Sequence, residues 1–362
     1  MPPRLKSLPP KFNLYPRPTT EDPSDALTVG NLRVGPNGVE FIGEADLHVP
    51  RPDLNIDRMR RIRRLGQGTQ GNVFMYMAPD DAVFAVKRIL ISPTARAQNH
   101  QIVAAELRNI FSNVSNPYMV ERYNAFYRNA TLLLVMEYMD WGSLLEVLGR
   151  AERLPETIAA YVIAQVLRAL EMLHKKSPIV TETKAEKGRY QIHRDIKPAN
   201  VLLSFNGDVK LADFGIATSA ETFGADSFVG TATYMSPERI QGQRYGTSSD
   251  IWSVGVVTGQ VLLGVYPFAS SNLSFMALLR RITTIESIDV VGGAGCSQEA
   301  QDFVNSCTRH LPGERGTAVE LLRMPWITKN ETKGKDELIS LLKQLGSENS
   351  KNTSFHKQDR VI

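Results

Sequence analysis

The run Ile192-His193-Arg194-Asp195-Ile196-Lys197-Pro198-Ala199-Asn200 places a carboxylate, then an amine, then a carboxamide within a few residues, and Asp213-Phe214-Gly215 adds a second carboxylate. This set suits phosphoryl transfer. Asp195 would accept or orient the proton of an attacking hydroxyl. Lys197 would steady the transferred phosphate, and Asn200 with Asp213 would hold Mg²⁺ on the phosphate oxygens. Such a transition state asks for little covalent help, so position and charge are the catalysis. His193 and Phe214 read as packing residues. Arg194, beside the carboxylate, calls for an anion, which a phosphorylated side chain would supply. Either motif alone is weak, but the pair in this order is specific.

The reactive groups need a partner that holds the rest of a nucleotide. Gly66-Gln67-Gly68-Thr69-Gln70-Gly71-Asn72-Val73 can bring backbone N–H groups close to a triphosphate. A dinucleotide fingerprint is the runner-up, but it requires a helix directly after the glycines, and residues 73–76 read as strand. In Phe84-Ala85-Val86-Lys87, strand alternation turns Ala85 and Lys87 to one face, so Lys87 can point into a cleft. Ser92-Pro93 is a helix start. Val103, Leu107, Ile110 and Phe111 then keep helical spacing, and Glu106 is either a solvated side chain or the partner of Lys87. Two strands are expected around 120–127 and 132–136. Glu137-Tyr138-Met139-Asp140 would be a hinge whose backbone reads an adenine ring between Val73, Ala85 and Met136, although Met136 serves equally as core.

Beyond the hinge the pattern is mainly helical. Residues 154–174 keep an apolar period, and 175–190 form a charged surface loop, either a neutral insertion or a docking element. Thr218, Ser219, Thr222 and Ser227 sit in a Gly- and Ala-containing loop that 229–239 closes. Residues 250–263 are apolar all round and predict a buried helix. Glu238 and Arg315 are expected to form a buried ion pair. The core is expected to end after Trp326, with a short amphipathic helix at 336–345 in a polar tail. At the other end, 1–26 are a Pro-rich tail, 27–42 a small hairpin and 43–56 a linker. Arg58, Arg60, Arg61, Arg63 and Arg64 read as a solvated strand face or as a patch for an acidic partner.

Composition narrows the class. The chain has 362 residues, 42% of them hydrophobic, a net charge of +4 and only Cys296 and Cys307. These features predict a soluble protein of a reducing compartment, with no disulfide framework, no membrane span, no secretory leader and no call for a nucleic-acid partner. A cytoplasmic monomer is the expectation.

With these residues in view, 59–327 resembles the eukaryotic protein kinases: Gly66 to Val73, Lys87, Glu106, 193–200, 213–215, 250–255 and Arg315 carry the likeness. The resemblance implies an α+β fold of two lobes with ATP and Mg²⁺ in the cleft. The domain would span 57–327, with a small lobe at 57–138, a large lobe at 139–327 and a polar tail at 328–362. Lys197 with Thr231 looks like a Ser/Thr-type enzyme. Within the family, Met136-Glu137-Tyr138-Met139-Asp140-Trp141-Gly142-Ser143-Leu144 and 228–239, with Ser236 before Pro237-Glu238, look like the MAP kinase kinases. Such enzymes have dual specificity, phosphorylating Thr and Tyr of a MAP kinase, and an upstream MAP kinase kinase kinase activates them at two loop hydroxyls. Ser227 matches the second of these positions. The first falls on Phe223, with Thr222 one residue away. Arg4, Lys6 and Lys11 before Phe12-x-Leu14 look like a MAP kinase docking sequence. The alternatives are a Ser/Thr kinase of another cascade tier and a pseudokinase scaffold. The presence of Lys87, Glu106, Asp195, Asn200 and Asp213 argues against the scaffold.

Overall fold

The computed structural model describes residues 26–29, 32–41, 49–68, 71–91, 116–175, 191–212, 232–269 and 274–355. Residues 27–41 form a three-stranded antiparallel meander, β1 (Leu27–Val29), β2 (Leu32–Gly35) and β3 (Gly38–Phe41), where one hairpin was expected. Gly35 pairs with Gly38, so the turn foreseen at Gly35-Pro36-Asn37-Gly38 forms, and Val29 pairs with Leu32 to add the extra strand.

The main sheet has five antiparallel strands: β4 (Arg60–Gly68), β5 (Gly71–Met77), β6 (Val83–Leu90), β7 (Arg122–Arg128) and β8 (Thr131–Glu137), in the order β4-β5-β6-β8-β7. Its central strands are buried on both faces. Ala85, Ile89, Leu132, Leu134 and Met136 pack with Leu27 and Val34 of the meander, while Phe84, Val86, Phe126 and Val135 pack with Leu54, Ile56 and Met59. The period-two alternation of β6 therefore feeds two separate cores. Arg128 Nε donates to the Pro36 carbonyl at 3.0 Å and ties the meander to β7.

The large lobe begins with β9 (Gly142–Ser143), which pairs with β10 (Val201–Leu203), itself paired with β11 (Val209–Leu211). Its helices are α1 (Leu144–Leu148), α2 (Glu156–Leu173), α3 (Pro237–Ile240), α4 (Ser248–Leu263), α5 (Phe275–Thr284), α6 (Val291–Ala294), α7 (Gln298–Cys307), α8 (Ala318–Leu322) and α9 (Pro325–Phe355). Ser143 and Glu146 start α1 with a reciprocal capping box. Nearly all of α4 is buried, as its uniform apolarity predicts. A Cβ on Gly255 would lie 2.6 Å from Cys307 Cβ, so the glycine lets α7 approach.

The C-terminal region differs from the expectation of a polar tail with a short helix at 336–345. There, α9 runs unbroken from Pro325 to Phe355 against α2, with Leu338, Leu342 and Leu345 buried in the large-lobe core. Gly334 looks like a helix breaker in the sequence. In the fold it allows close approach, because a Cβ there would lie 2.4 Å from the Thr157 carbonyl oxygen. Trp141, just past the hinge, donates Nε1–H to the Leu342 carbonyl at 3.1 Å. No helix among the described residues is long and apolar enough to cross a membrane.

Candidate active site

The loop before β10 hangs from one buried carboxylate. The His193 and Arg194 amides donate to Asp250 Oδ2 and Oδ1, each at 2.8 Å, and His174 Nε2 lies 2.9 Å from Oδ2. Burial works to raise the Asp250 pKa. The His174 and His193 rings and the Arg194 amide outweigh it and hold the group below its ordinary value. Asp250 thus stays charged, and its two-oxygen grip holds Arg194 at φ +73°, a backbone state uncommon outside glycine.

That strained residue delivers Asp195 into a cluster. Lys197 Nζ lies 2.8 Å from Asp195 Oδ2, and Asn200 Nδ2 donates to both Oδ2 and the Asp195 carbonyl at 2.8 Å. The 3-10 turn Pro198–Asn200 folds Asn200 back to make these contacts. With Nδ2 turned to Asp195, the Asn200 Oδ1 is the atom left to face a cation. The Ala212 amide donates to the Asn200 carbonyl at 2.8 Å, and the Ala212 carbonyl lies 3.1 Å from His193 Nε2. The backbone leading to Asp213 is therefore bound to the same loop. Asp213 itself lies outside the described residues.

Across the hinge, β4 and β5 pair as far as Gly68 with Gly71, so the glycines sit at a hairpin and strand follows them. The dinucleotide alternative needed a helix there. Gly66 pairs with Val73. Gly71, at φ +144°, leaves 2.0 Å between a would-be Cβ and the Arg88 carbonyl oxygen, which excludes other residues. Lys87 is 3% exposed and pairs in register with Val73 and Leu134, while Ala85 pairs with Met75 and Met136. Ala85, Met136 and Met139 are buried, and Gln67 is exposed. The Glu137 side chain is committed elsewhere. Lys210 Nζ of β11 lies 2.7 and 2.8 Å from its two oxygens, and the Glu121 amide donates to it at 3.1 Å. The Glu137 backbone amide is committed as well, donating to the Glu121 carbonyl at 2.9 Å. Thr69, Gln70, Glu106, Thr222 and Ser227 lie outside the described residues. The apolar face of Ala85 and Met136, the buried amine of Lys87 and the Asn200 oxygen fit a nucleoside triphosphate with a divalent cation.

Sequence reasoning named neither Asp250 nor His174 as functional. The signal was present, since Asp250 is the one charged residue in α4. Glu238 and Arg315 form the expected pair, with Arg315 Nη1 and Nη2 each 2.8 Å from a carboxylate oxygen. Arg315 also donates to the Arg309, His310 and Ser248 carbonyls and lies over the Trp252 ring. Burial pushes the Glu238 pKa up, but hydrogen bonds led by Arg315 bring it below the ordinary value. The folded pKa is therefore below the unfolded one. The stabilisation is present above the unfolded carboxylate range and is lost as pH falls through the folded value. Arg315→Met, which leaves Glu238 buried and alone, is expected to cost about 3–5 kcal/mol in urea unfolding at neutral pH. The deficit should shrink in acid, and an unchanged midpoint at pH 7 would contradict the assignment.

Comparison with known proteins agrees with this geometry. Residues 59–327 match the protein kinase domain. Mitogen-activated protein kinase kinase 1c of Physcomitrium patens is 33% identical over 86% of this chain and 88% of its own length. Mitogen-activated protein kinase kinase 2 of Arabidopsis thaliana is 32% identical over 84% of each chain. The dual specificity mitogen-activated protein kinase kinase dSOR1 of Drosophila melanogaster is 32% identical over 77% of this chain and 73% of its own. With its two-lobed architecture and the Asp195–Lys197–Asn200 cluster, the chain belongs to the MAP kinase kinase family of protein kinases.

Proposed function

We propose that this kinase transfers the γ-phosphoryl group of ATP, with Mg²⁺, to a Thr and a Tyr in the activation loop of a MAP kinase. The carrying observation is Asp195, held between Lys197 and Asn200 on a loop suspended from Asp250. Asp195 takes up the proton of the acceptor hydroxyl and aims its oxygen. Lys197, already beside Asp195, balances charge on the transferred group. Asn200 and Asp213 would hold the cation, which draws charge off the phosphate oxygens, and Lys87 and the Gly66–Gly71 hairpin would hold the phosphates. The 322-residue likeness to a MAP kinase kinase at 33% identity favours this acceptor over that of another cascade tier. The test is incubation with ATP, Mg²⁺ and kinase-inactive MAP kinases, with phosphosites read by mass spectrometry. Phosphate on both Thr and Tyr of one activation loop is expected. Phosphate confined to generic proteins would overturn the reading.

Regulation follows from Arg194. Its Nε is buried without a hydrogen-bond partner, which suits an anion brought by the neighbouring loop. Phosphorylation of Ser227 by an upstream MAP kinase kinase kinase, with Thr222 as a weaker site, would add about −1.5 to −2 charge there. A Ser227→Ala, Thr222→Ala double variant is expected to resist activation by such a kinase in a coupled assay, whereas full activation would point to Thr218 or Ser219. The basic-apolar string Arg4 to Leu14 would hold the MAP kinase near the cleft of a cytoplasmic, monomeric enzyme.

A further inference from the structure

Helix α4 ends at Gly264, with φ +78°, and a Cβ there would lie 2.0 Å from the Glu152 carbonyl oxygen. Only glycine fits so tight a turn. The turn carries Tyr266 back over residues 232–236, the segment that leads into α3. The Tyr266 hydroxyl donates to the Thr233 carbonyl. Its ring stands edge-on to Tyr234, with centroids 5.7 Å apart, and to Phe268, at 5.6 Å. The Tyr234 hydroxyl is 2.6 Å from Gln260 Oε1, and Ser253 Oγ donates to the Tyr234 carbonyl at 2.8 Å. Burial raises both phenol pKa values, that of Tyr234 to about 12, so each hydroxyl keeps its proton near neutral pH.

Ser253 and Gln260 belong to α4, whose Asp250 holds the catalytic loop. Arg239 of α3 donates Nη1–H to the Arg194 carbonyl at 2.8 Å, so the two structures also touch directly. The segment 232–239 is thus tied to the residue next to Asp195 and forms a wall beside the catalytic loop. Two successive carbonyls of that wall, those of Thr233 and Tyr234, are held by side chains. Val265, next to Tyr266, is 62% exposed.

We propose that Tyr266 is a positioning residue for the polypeptide acceptor: its hydroxyl, fixed on the Thr233 carbonyl, sets the wall against which residues flanking the acceptor hydroxyl rest. It governs acceptor binding without touching ATP or the reacting atoms. The inference rests on the protein-acceptor reading above but not on the acceptor being a MAP kinase.

Tyr266→Phe tests it, because the ring stays in its aromatic stack and only the donor is lost. In the full chain, KM for acceptor, KM for ATP, kcat and acceptor-independent ATP hydrolysis are measured, with kinase-inactive MAP kinase and, separately, myelin basic protein as acceptors. Acceptor KM is expected to rise about tenfold, the equivalent of one modest hydrogen bond, with ATP KM and ATP hydrolysis unchanged. Hydrogen exchange at the amides of 233–236 should quicken in the same variant, and this reading needs no acceptor. An unchanged acceptor KM, an unchanged exchange pattern, or a parallel loss of kcat and ATP affinity with a lowered melting temperature would each overturn the proposal. Wild-type protein that modifies only myelin basic protein would refute the MAP kinase reading, while the ratio of variant to wild type still decides the role of Tyr266.

Discussion

Asp195→Asn is expected to lower kcat by about 10²–10⁴-fold, the usual contribution of a positioned general base. The substituted amide keeps the shape of the side chain and an oxygen that can accept from Asn200 Nδ2. It removes the negative charge that Lys197 faces at 2.8 Å and the site that receives the proton. Affinity for ATP should change little, because Asp195 lies with Lys197 and Asn200 rather than with the hinge strand. Melting temperature should also hold, since both side chains of the pair are about a fifth exposed and the loop stays fixed by Asp250. Asp213→Asn and Lys87→Met should abolish Mg²⁺-dependent transfer by different routes, through the cation and through the phosphates. Steady-state kinetics of purified Asp195→Asn decides the first claim. Residual kcat within about tenfold of wild type would remove Asp195 from the mechanism.

The second large effect concerns stability. Ending the chain after Asn330 deletes Leu338, Leu342 and Leu345, which are 0, 0 and 7% exposed. Full burial of a leucine contributes about 1.5–3 kcal/mol, so the three together supply about 5–9 kcal/mol. Domains of this kind hold only about 5–15 kcal/mol in all. The cut also strips the Trp141 indole of its acceptor and uncovers the face of α2 that carries Tyr161. The shortened chain is expected to be largely unfolded, and the milder Leu342→Ala should cost about 2–5 kcal/mol in urea unfolding. A truncated chain with the wild-type denaturation midpoint would show that α9 is dispensable.

How much was legible beforehand depended on how local the cause was. The strand carrying Lys87 shows in the alternation of four residues, and both of its faces are buried as that alternation requires. The catalytic loop is named by its own residue types. Asp250 was harder to read, because its partners are the amides of His193 and Arg194, 57 and 56 residues earlier. A backbone amide has no side-chain signature, so no spacing could reveal that contact. The helix at 325–355 was under-read for a related reason. Its buried leucines keep helical spacing, but Gly334 fits there only because of the close approach to α2, which is invisible along the chain.

The bond from Trp141 to Leu342 spans 201 residues. In a chain made from its N-terminus, all five strands of the main sheet have been synthesised by Glu137. The groove beside α2 has no cover until residue 345 has been added. One lobe can thus mature early while the other carries an apolar flank through most of translation, a period in which chaperones have a surface to bind and misassembly has an opening.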